Sequence, residues 1–348
     1  MSEQPESSST ELSRRDLFRT AGLATGGALL LGLPNLLSGW TGTAEAALSK
    51  GALPTTRISL ELEGQFAGTL ITVDGGGVFA DVITENAGLD GIQRKRPGPV
   101  RFEDIVFDVA LGALEKPLTN WITDALGKTP TPKNGVIVYA DLNLNEVKRL
   151  EFTGALLSEI MVPEADAKEG KQVAAMTIRL VVQSTRLTDG KGKLPATAAT
   201  KNKQILSSNF RFNVQGLEKA CKRITGVEGI SAKRNLIGAP IGQEKIRKST
   251  SVPGALEYSL IHITLPEVEA GPFYQWFDDM VIKGNPNAER AALLEWLDPT
   301  MRNVLASVQL GGLGIVRYEP DPIKAGTEEK LGGAVAIDMY FETMTVTL

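Results

Sequence analysis

The chain has 348 residues, of which 42% are hydrophobic and 22% are charged, and its formal net charge is −4. This length suits two domains of roughly 150 residues each. The nearly balanced charge excludes a strongly basic nucleic-acid-binding surface. The only cysteine, Cys221, cannot form an internal disulfide.

Residues 1–46 have the order of an export signal. The segment SRRDLFR (13–19) precedes a mildly apolar run that contains several glycines, and Ala44-Glu45-Ala46 offers an A-x-A cleavage site. The paired arginines resemble a twin-arginine signal. The alternatives are an ordinary amphipathic helix and a retained membrane anchor. Against an anchor, Pro34 interrupts an apolar run that is already short for a membrane span. We predict export of the folded protein by the twin-arginine machinery to the periplasm or the extracellular space. No stable membrane span remains after cleavage.

Two later segments repeat each other. KPLTNWITDAL (116–126) and GPFYQWFDDMV (271–281) share a Pro, a Trp and an Asp at a constant offset of 155 positions. Proline at the first helical position costs no hydrogen bond, and the apolar residues recur at helical spacing. Each segment is predicted to be a short amphipathic helix that its tryptophan, Trp121 or Trp276, anchors in a core.

The segments before these helices also correspond. RISLELEG and FRFNVQG alternate apolar and polar residues as half-buried strands do, and both end in glycine, at Gly64 and Gly216. Glycine-containing turns follow in each half, and the Pro-Gly pairs at 97–98 and 253–254 lie 156 positions apart, each predicted to come directly before a strand.

Beyond the helices the halves diverge. NPNAERAALLEWLDPTMRN (285–303) is predicted to be an extra helix that ends at Pro299. The closing strands match again at an offset of 161, and a change of apolar phase between Phe341 and Met344 predicts a bulge or an exchange of faces.

This order predicts a mainly β, α+β fold: two tandem antiparallel β-sandwich or barrel domains, each with one packed amphipathic helix. We place the first domain at 57–188 and the second at 209–348. Residues 189–208, rich in Gly, Lys, Thr and Ala, are predicted to be a flexible linker.

The same segments resemble a known family. ISLELEGQFAG, GIQRKRPGPVRFEDIVFDVAL, the KPLTNWITDAL helix and EVKRLEFTGALLSEI resemble the contractile-phage tail tube family, which is similar in fold to the tube protein of type VI secretion. The resemblance implies a sandwich or barrel with one helix, six such domains in a ring around an aqueous channel, and stacked rings. The two fused copies and the export signal depart from the usual pattern of that family.

Self-association is therefore the expected partnership. Strands that are apolar on one face and charged on the other can bury one side and leave the other in water. Because closed symmetric assemblies are common, a chain with two copies predicts a trimer whose six domains imitate a six-fold ring.

No catalytic, cofactor or metal site is predicted. His262, the only histidine, lies in the strand LEYSLIHITL without a nucleophile tied to it by a motif, and one His with one Cys cannot supply a closed zinc site. Cys221 is interpreted as structural.

Three functions remain open at this point. The first is a self-assembling, non-enzymatic tube or ring subunit; the second is a secreted two-domain β protein that binds a ligand or glycan. The third, an exported enzyme, is favoured only by the type of signal, because folded export is often used for proteins that carry cofactors.

Overall fold

The computed structural model describes residues 57–85, 92–128, 130–195, 204–241, 248–285, 287–321 and 333–348. The predicted signal at 1–46 lies outside these residues. Residues Leu53–Leu348 form one compact unit. Within it we call 57–189 the first half and 209–348 the second half.

Strands dominate the described residues, which agrees with the predicted mainly β class. The strands are β1 (Arg57–Leu62), β2 (Gln65–Gly75), β3 (Val78–Glu85), β4 (Arg94–Phe102), β5 (Ile105–Leu114), β6 (Lys133–Ala140), β7 (Glu146–Met161), β8 (Ala165–Asp166), β9 (Ala175–Val181), β10 (Ser184–Asp189), β11 (Phe210–Val214), β12 (Gly226–Glu228), β13 (Ser231–Ile241), β14 (Lys248–Tyr258), β15 (Ile261–Pro266), β16 (Arg290–Leu297), β17 (Val304–Pro320), β18 (Ala334–Tyr340) and β19 (Thr343–Thr347).

Helices are few and short. They are α1 (Lys116–Ala125), α2 (Glu218–Cys221) and α3 (Gly271–Phe277), with a 3-10 turn at Glu267–Glu269 before α3 and a π-helical turn at Asp278–Ile282 after it.

In the first half the strands close into a barrel. The neighbours run β7, β6, β1, β2, β5 and β9, and β9 pairs again with β7. The long strand β7 also carries β10 on one side. Closure removes the sheet edges along most of these strands, and the end of β7 keeps one.

In the second half the order is β11, β16, β17, β18, β15 and β12, with β19 paired to β17. Among the described residues no pairing joins β11 to β12, so this sheet does not close as the first one does. Strand β8 of the first half pairs with β12 and extends this sheet.

The predicted repeated helices are present. In α1 the buried face consists of Leu118, Trp121, Ile122 and Ala125, and both α1 and α3 have proline in their first turn. The Trp121 side chain donates from Nε1 to the carbonyl of Thr131 at 3.1 Å. Trp276 does the same to Ala288 at 2.7 Å.

Each acceptor carbonyl lies two residues before the next strand, β6 or β16. Both tryptophans therefore anchor a helix in the core and also fix the loop that leaves it.

One continuous core connects the two halves. Its fully buried members include Phe107 and Phe152 from the first half, and Phe212, Phe273 and Trp296 from the second half. A single core means that the halves share apolar packing. The domain boundaries at 188 and 209 remain a prediction.

The described flanks of the predicted linker are packed. Leu194 and Ile205 are buried, and the carbonyl of Ile205 accepts the Ala174 N–H at 2.8 Å. Residues 196–203 lie outside the described residues.

The predicted extra helix at 285–303 is wrong. Its apolar part is strand β16, in which Ala292, Leu294 and Trp296 are buried at alternate positions. β16 lies between β11 and β17, as β6 lies between β1 and β7. Leu293 and Leu297 are apolar residues outside this alternation, and with them the segment also fits the spacing of a helix. Short apolar runs often fit both patterns.

Two smaller predictions also need correction. Each Pro-Gly pair lies inside a strand, β4 or β14, instead of before one. The change of phase after Phe341 marks the end of β18 and the start of a separate strand, β19, which pairs with β17.

Candidate assembly surface

Among the described residues no group of three His, Cys, Asp or Glu side chains could hold a metal ion. His262 lies on β15, and its Nδ1 is 2.7 Å from Oδ1 of Asp338 on the paired strand β18. Nη1 of Arg317 lies 3.6 Å from the other Asp338 oxygen. These residues form a polar row across neighbouring strands, and within the described ranges no Ser or Cys side chain is hydrogen-bonded to His262.

Cys221 is buried at the end of α2, where its Sγ accepts the backbone N–H of Val214 at 3.3 Å. Burial raises the pKa of this thiol to about 11. A thiol that stays protonated is a poor nucleophile and a poor metal ligand. The geometry agrees with the structural interpretation of this residue.

The most extensive feature outside the core is the junction between the halves. Strands β13 and β14 form a hairpin that belongs to the second half by sequence, yet β13 pairs with the end of β7 in the first half. The paired residues are Ser231 with Met161, Ala232 with Ile160, and Lys233 with Glu159. The hairpin thus continues the sheet of the first half through main-chain hydrogen bonds.

Arg234 fixes this hairpin to helix α1. Its Nη2 donates to the carbonyls of Ala125 at 3.0 Å and Gly127 at 2.6 Å, and its Nη1 donates to Gly254 at 2.8 Å. The residue is only 6% exposed. The last carbonyls of a helix lack hydrogen-bond donors within the helix and carry partial negative charge. A guanidinium supplies both the donors and a positive charge there.

The halves also exchange a strand in the other direction. Ala165 and Asp166 of β8 pair with Val227 and Gly226 of β12, and the Ala167 N–H donates to the Thr225 carbonyl at 2.9 Å. Two exchanges of opposite direction make the junction specific in register and orientation.

A groove of about 410 Å³ lies along this junction. Met161, Pro163 and Gln172 line it from the first half, and Gly229 and Ser231 line it from the second. Its size is within the range of small-molecule pockets.

The first hairpin, β3 and β4, has no comparable cover. It forms a separate two-stranded sheet, and its large apolar side chains Val78, Phe79, Val82 and Val100 are exposed. A contiguous exposed apolar surface on a soluble protein commonly marks an interaction site.

Sequence reasoning did not identify Arg234 or the junction. The residue that corresponds to Arg234 in the first half is Ala80, so the repeat gave no signal at this position. His262 and Cys221 lie on different elements and bond to different partners, Asp338 and the backbone of Val214.

Within the described ranges no helix combines the length and the apolar character needed to span a membrane.

No family model matches the chain, and no curated protein matches it. Solved structures do. A chain of the sheath–tube complex of an extracellular contractile injection system, PVC, in the extended state has 18% identity and a TM-score of 0.36, with 43% of this chain and 99% of that chain covered. The tube-terminating cap of the anti-feeding prophage has 17% identity and a TM-score of 0.36, with 40% and 93% covered.

Hcp1 from Flavobacterium johnsoniae has 18% identity and a TM-score of 0.26, with 40% of this chain and 99% of that chain covered. Each of these three structures is similar to less than half of this chain. The proposals below rest on the contacts of the chain itself.

Proposed function

We propose that the chain is an exported, structural subunit that assembles into a ring or tube, and that its two halves are tandem copies of one tube-type domain. The observation that carries this proposal is the direction of the junction between the halves. The hairpin of the second half pairs with the barrel of the first half, while the hairpin of the first half pairs with no further strand among the described residues.

Such a junction is head to tail. It joins two different surfaces, a hairpin and the end of a long strand. Each half has both: β3–β4 and β7 in the first half, and β13–β14 and β17 in the second. A contact between different surfaces can repeat, and it gives a closed ring when its rotation closes and a helical filament when it does not.

If the six positions of a ring are filled by fused pairs, three chains complete the circle. A trimer would place six similar domains around one axis, and the junction inside each chain would alternate with a junction between chains. Stacking of such rings would give a tube.

The proposed export route sets a condition on assembly. A twin-arginine substrate crosses the membrane folded, and a completed ring would be much larger than the subunit. We infer that either the unprocessed N-terminus or a low cytoplasmic concentration delays assembly until after export. The protein then acts in the periplasm or outside the cell.

This proposal includes no reaction. His262 is paired to Asp338 on the sheet, and the Cys221 thiol is held protonated by burial. An enzymatic role would need a cluster of groups that could transfer protons or bind a cofactor.

A second candidate is a secreted protein that binds a ligand or glycan, and the groove at the junction favours it. A ligand there would contact both halves and stabilise them together. This candidate predicts a monomer, so one measurement separates the two functions.

The test is the mass of purified protein that starts at Ala47, measured over a range of concentrations and followed by negative-stain microscopy. The proposal predicts species of three chains or multiples of three, and rings with a central opening. A monomer at high concentration would contradict it and would favour the ligand-binding candidate.

A comparison with the full-length chain tests the timing. Slower assembly of the full-length protein supports a role of the N-terminus in the delay. Equal assembly of both proteins contradicts that role and leaves concentration as the control.

A further inference from the structure

The two hairpins, β3–β4 and β13–β14, have the same register on both sides of their bulges. In β3 and β4 the pairing skips Asp81 opposite Gly98 and Pro99, and in β13 and β14 it skips Asn235 opposite Gly254 and Ala255. In the first hairpin the pairs around the bulge are Val78–Phe102, Ala80–Val100 and Val82–Pro97. Their equivalents in the second hairpin, in the same order, are Ala232–Tyr258, Arg234–Leu256 and Leu236–Pro253.

Glycine has the same reason to be present in both bulges. A Cβ on Gly98 would lie 3.0 Å from the carbonyl oxygen of Asp81, and one on Gly254 would lie 2.7 Å from that of Asn235. Because both hairpins need this close approach of backbones, they are equivalent in conformation as well as in pairing.

The long strands β7 and β17 are equivalent as well. The early part of β7 lies between β6 and β10, and the early part of β17 lies between β16 and β19. The later part of β7 pairs with β9, and that of β17 pairs with β18.

The later parts of β7 and β17 differ in what lies on their second side. Residues 159–161 of β7 have β13 on their second side, whereas residues 314–320 of β17 have no strand on that side among the described residues. The equivalent of Ile160, judged from the paired strands, is Ile315.

We infer that β3 of one chain pairs antiparallel with residues 314–316 of β17 in a second copy of this chain, and that this contact is the junction between chains. The inference rests on the proposed ring assembly and deepens it. By equivalence with the internal junction, Val78 lies opposite Ile315, and Phe79 lies opposite Gly314.

Both surfaces suit this contact. The outer edge of β3 carries Val78, which is 57% exposed, and the free edge of β17 carries Val316, which is 42% exposed. Pairing would cover both side chains and satisfy the backbone groups of two free edges. Cross-strand contacts between β-branched residues are favourable in a sheet.

The junction between chains would differ from the internal one in chemistry. Ala80 stands where Arg234 binds the end of α1, so the contact between chains lacks that charged anchor. It therefore depends on apolar contact and backbone pairing. Such a contact is weaker than one fixed by a buried guanidinium, which suits a subunit that must remain single until it has been exported.

Substitution of exposed valines tests the inference. Val78→Glu places a charge at the paired edge and should weaken self-association at least about tenfold, equivalent to 1.4 kcal/mol. The matched control is Val82→Glu, on the same strand and 67% exposed, but beyond the bulge and outside the paired segment. It should leave association unchanged. Both variants should keep the circular dichroism and thermal midpoint of the parent, because both valines point to solvent.

Cross-linking gives a second test. With Val78→Cys and Ile315→Cys in one chain, mild oxidation should yield covalent species of two and three chains, because residues directly opposite each other on paired strands share a face and have Cβ atoms near enough for a disulfide. Each single variant should yield neither.

The outcomes distinguish the inference from the proposed function. If the parent protein is monomeric, both fail. If the parent assembles, but the double cysteine variant does not cross-link, or Val78→Glu and Val82→Glu act equally, the inference fails and the ring proposal stands. Cross-linking that requires both cysteines, with an effect of Val78→Glu alone, supports the inference.

Discussion

The two halves follow the same path up to a turn and then separate. That turn contains Gly64 in the first half and Gly216 in the second, with φ values of 79° and 78°. After Gly64 the chain forms β2, which pairs with both β1 and β5 and closes the barrel. After Gly216 it forms α2 and the three-residue strand β12 instead, and the sheet stays open.

The sequences after the turns explain this difference. QFAGTLITV contains β-branched residues at the positions of a strand, whereas LEKACKR consists largely of good helix formers. The first half supplies strand partners that the second half lacks, because β8 pairs with β12 and β7 pairs with β13 of the second hairpin. The sheet of the first half closes without the second half, whereas the sheet and the hairpin of the second half pair with strands of the first.

Separation of the halves should show this asymmetry most strongly. A fragment of residues 57–195 is expected to be soluble and to unfold cooperatively, because its barrel closes within its own sequence. A fragment of residues 204–348 is expected to aggregate or to remain partly unfolded, because the exposed edge of β12 and the hairpin lose their partners. Thermal unfolding and size-exclusion chromatography of both fragments check this. Equal behaviour of the two fragments would contradict the asymmetry.

The thiol of Cys221 reports whether α2 stays in place. Labelling by a thiol reagent at pH 8 should be about a hundredfold or more slower in the native protein than in urea, because the thiol is buried and its thiolate is disfavoured. The sign follows from the pKa of about 11, which keeps the thiol neutral at pH 8. Labelling at the same rate in both conditions would show that α2 opens freely.

Loss of the Arg234 side chain should weaken the internal junction. Arg234→Ala leaves the carbonyls of Ala125 and Gly127 without a donor, and a cost of about 2–3 kcal/mol in the free energy of unfolding is expected for such a buried charged group. Urea denaturation measures it. Arg302→Ala, at an exposed arginine, is the control and should change stability by less than about 0.5 kcal/mol. A similar change in both variants would mean that Arg234 does not hold the hairpin.

The equivalent tryptophans offer a finer comparison. Trp121→Phe and Trp276→Phe each remove a hydrogen bond from Nε1 to a loop carbonyl, and a similar cost of about 1–2 kcal/mol is expected for each. Trp296→Phe is the control: its Nε1 is buried without a hydrogen-bond partner in the described part of the chain. Its substitution should cost less, since no bond is lost. Unequal effects of Trp121→Phe and Trp276→Phe would contradict equal roles.

Much of this architecture was predictable from local pattern. Spacing identified both helices, the roles of Trp121 and Trp276, the alternating strands before them and the shared Pro-Gly pairs, because each depends on residues close in sequence. The strand β16 was mistaken for a helix, since Leu293 and Leu297 added apolar residues outside the alternation.

The junction could not be predicted in the same way. Pairing of β13 with β7 joins residues about 70 positions apart, and nothing local to Ser231 or Met161 specifies it. Arg234 had no signal either, because an arginine in a strand usually faces solvent and its acceptors are backbone carbonyls, which every residue has.

The central claim is that the chain assembles head to tail through the same kind of contact that joins its halves. Native mass spectrometry of the protein starting at Ala47 tests it most directly. The account predicts species of three chains or multiples of three in the parent and in Val82→Glu, and their loss in Val78→Glu. A monomer at every concentration would contradict the assembly itself.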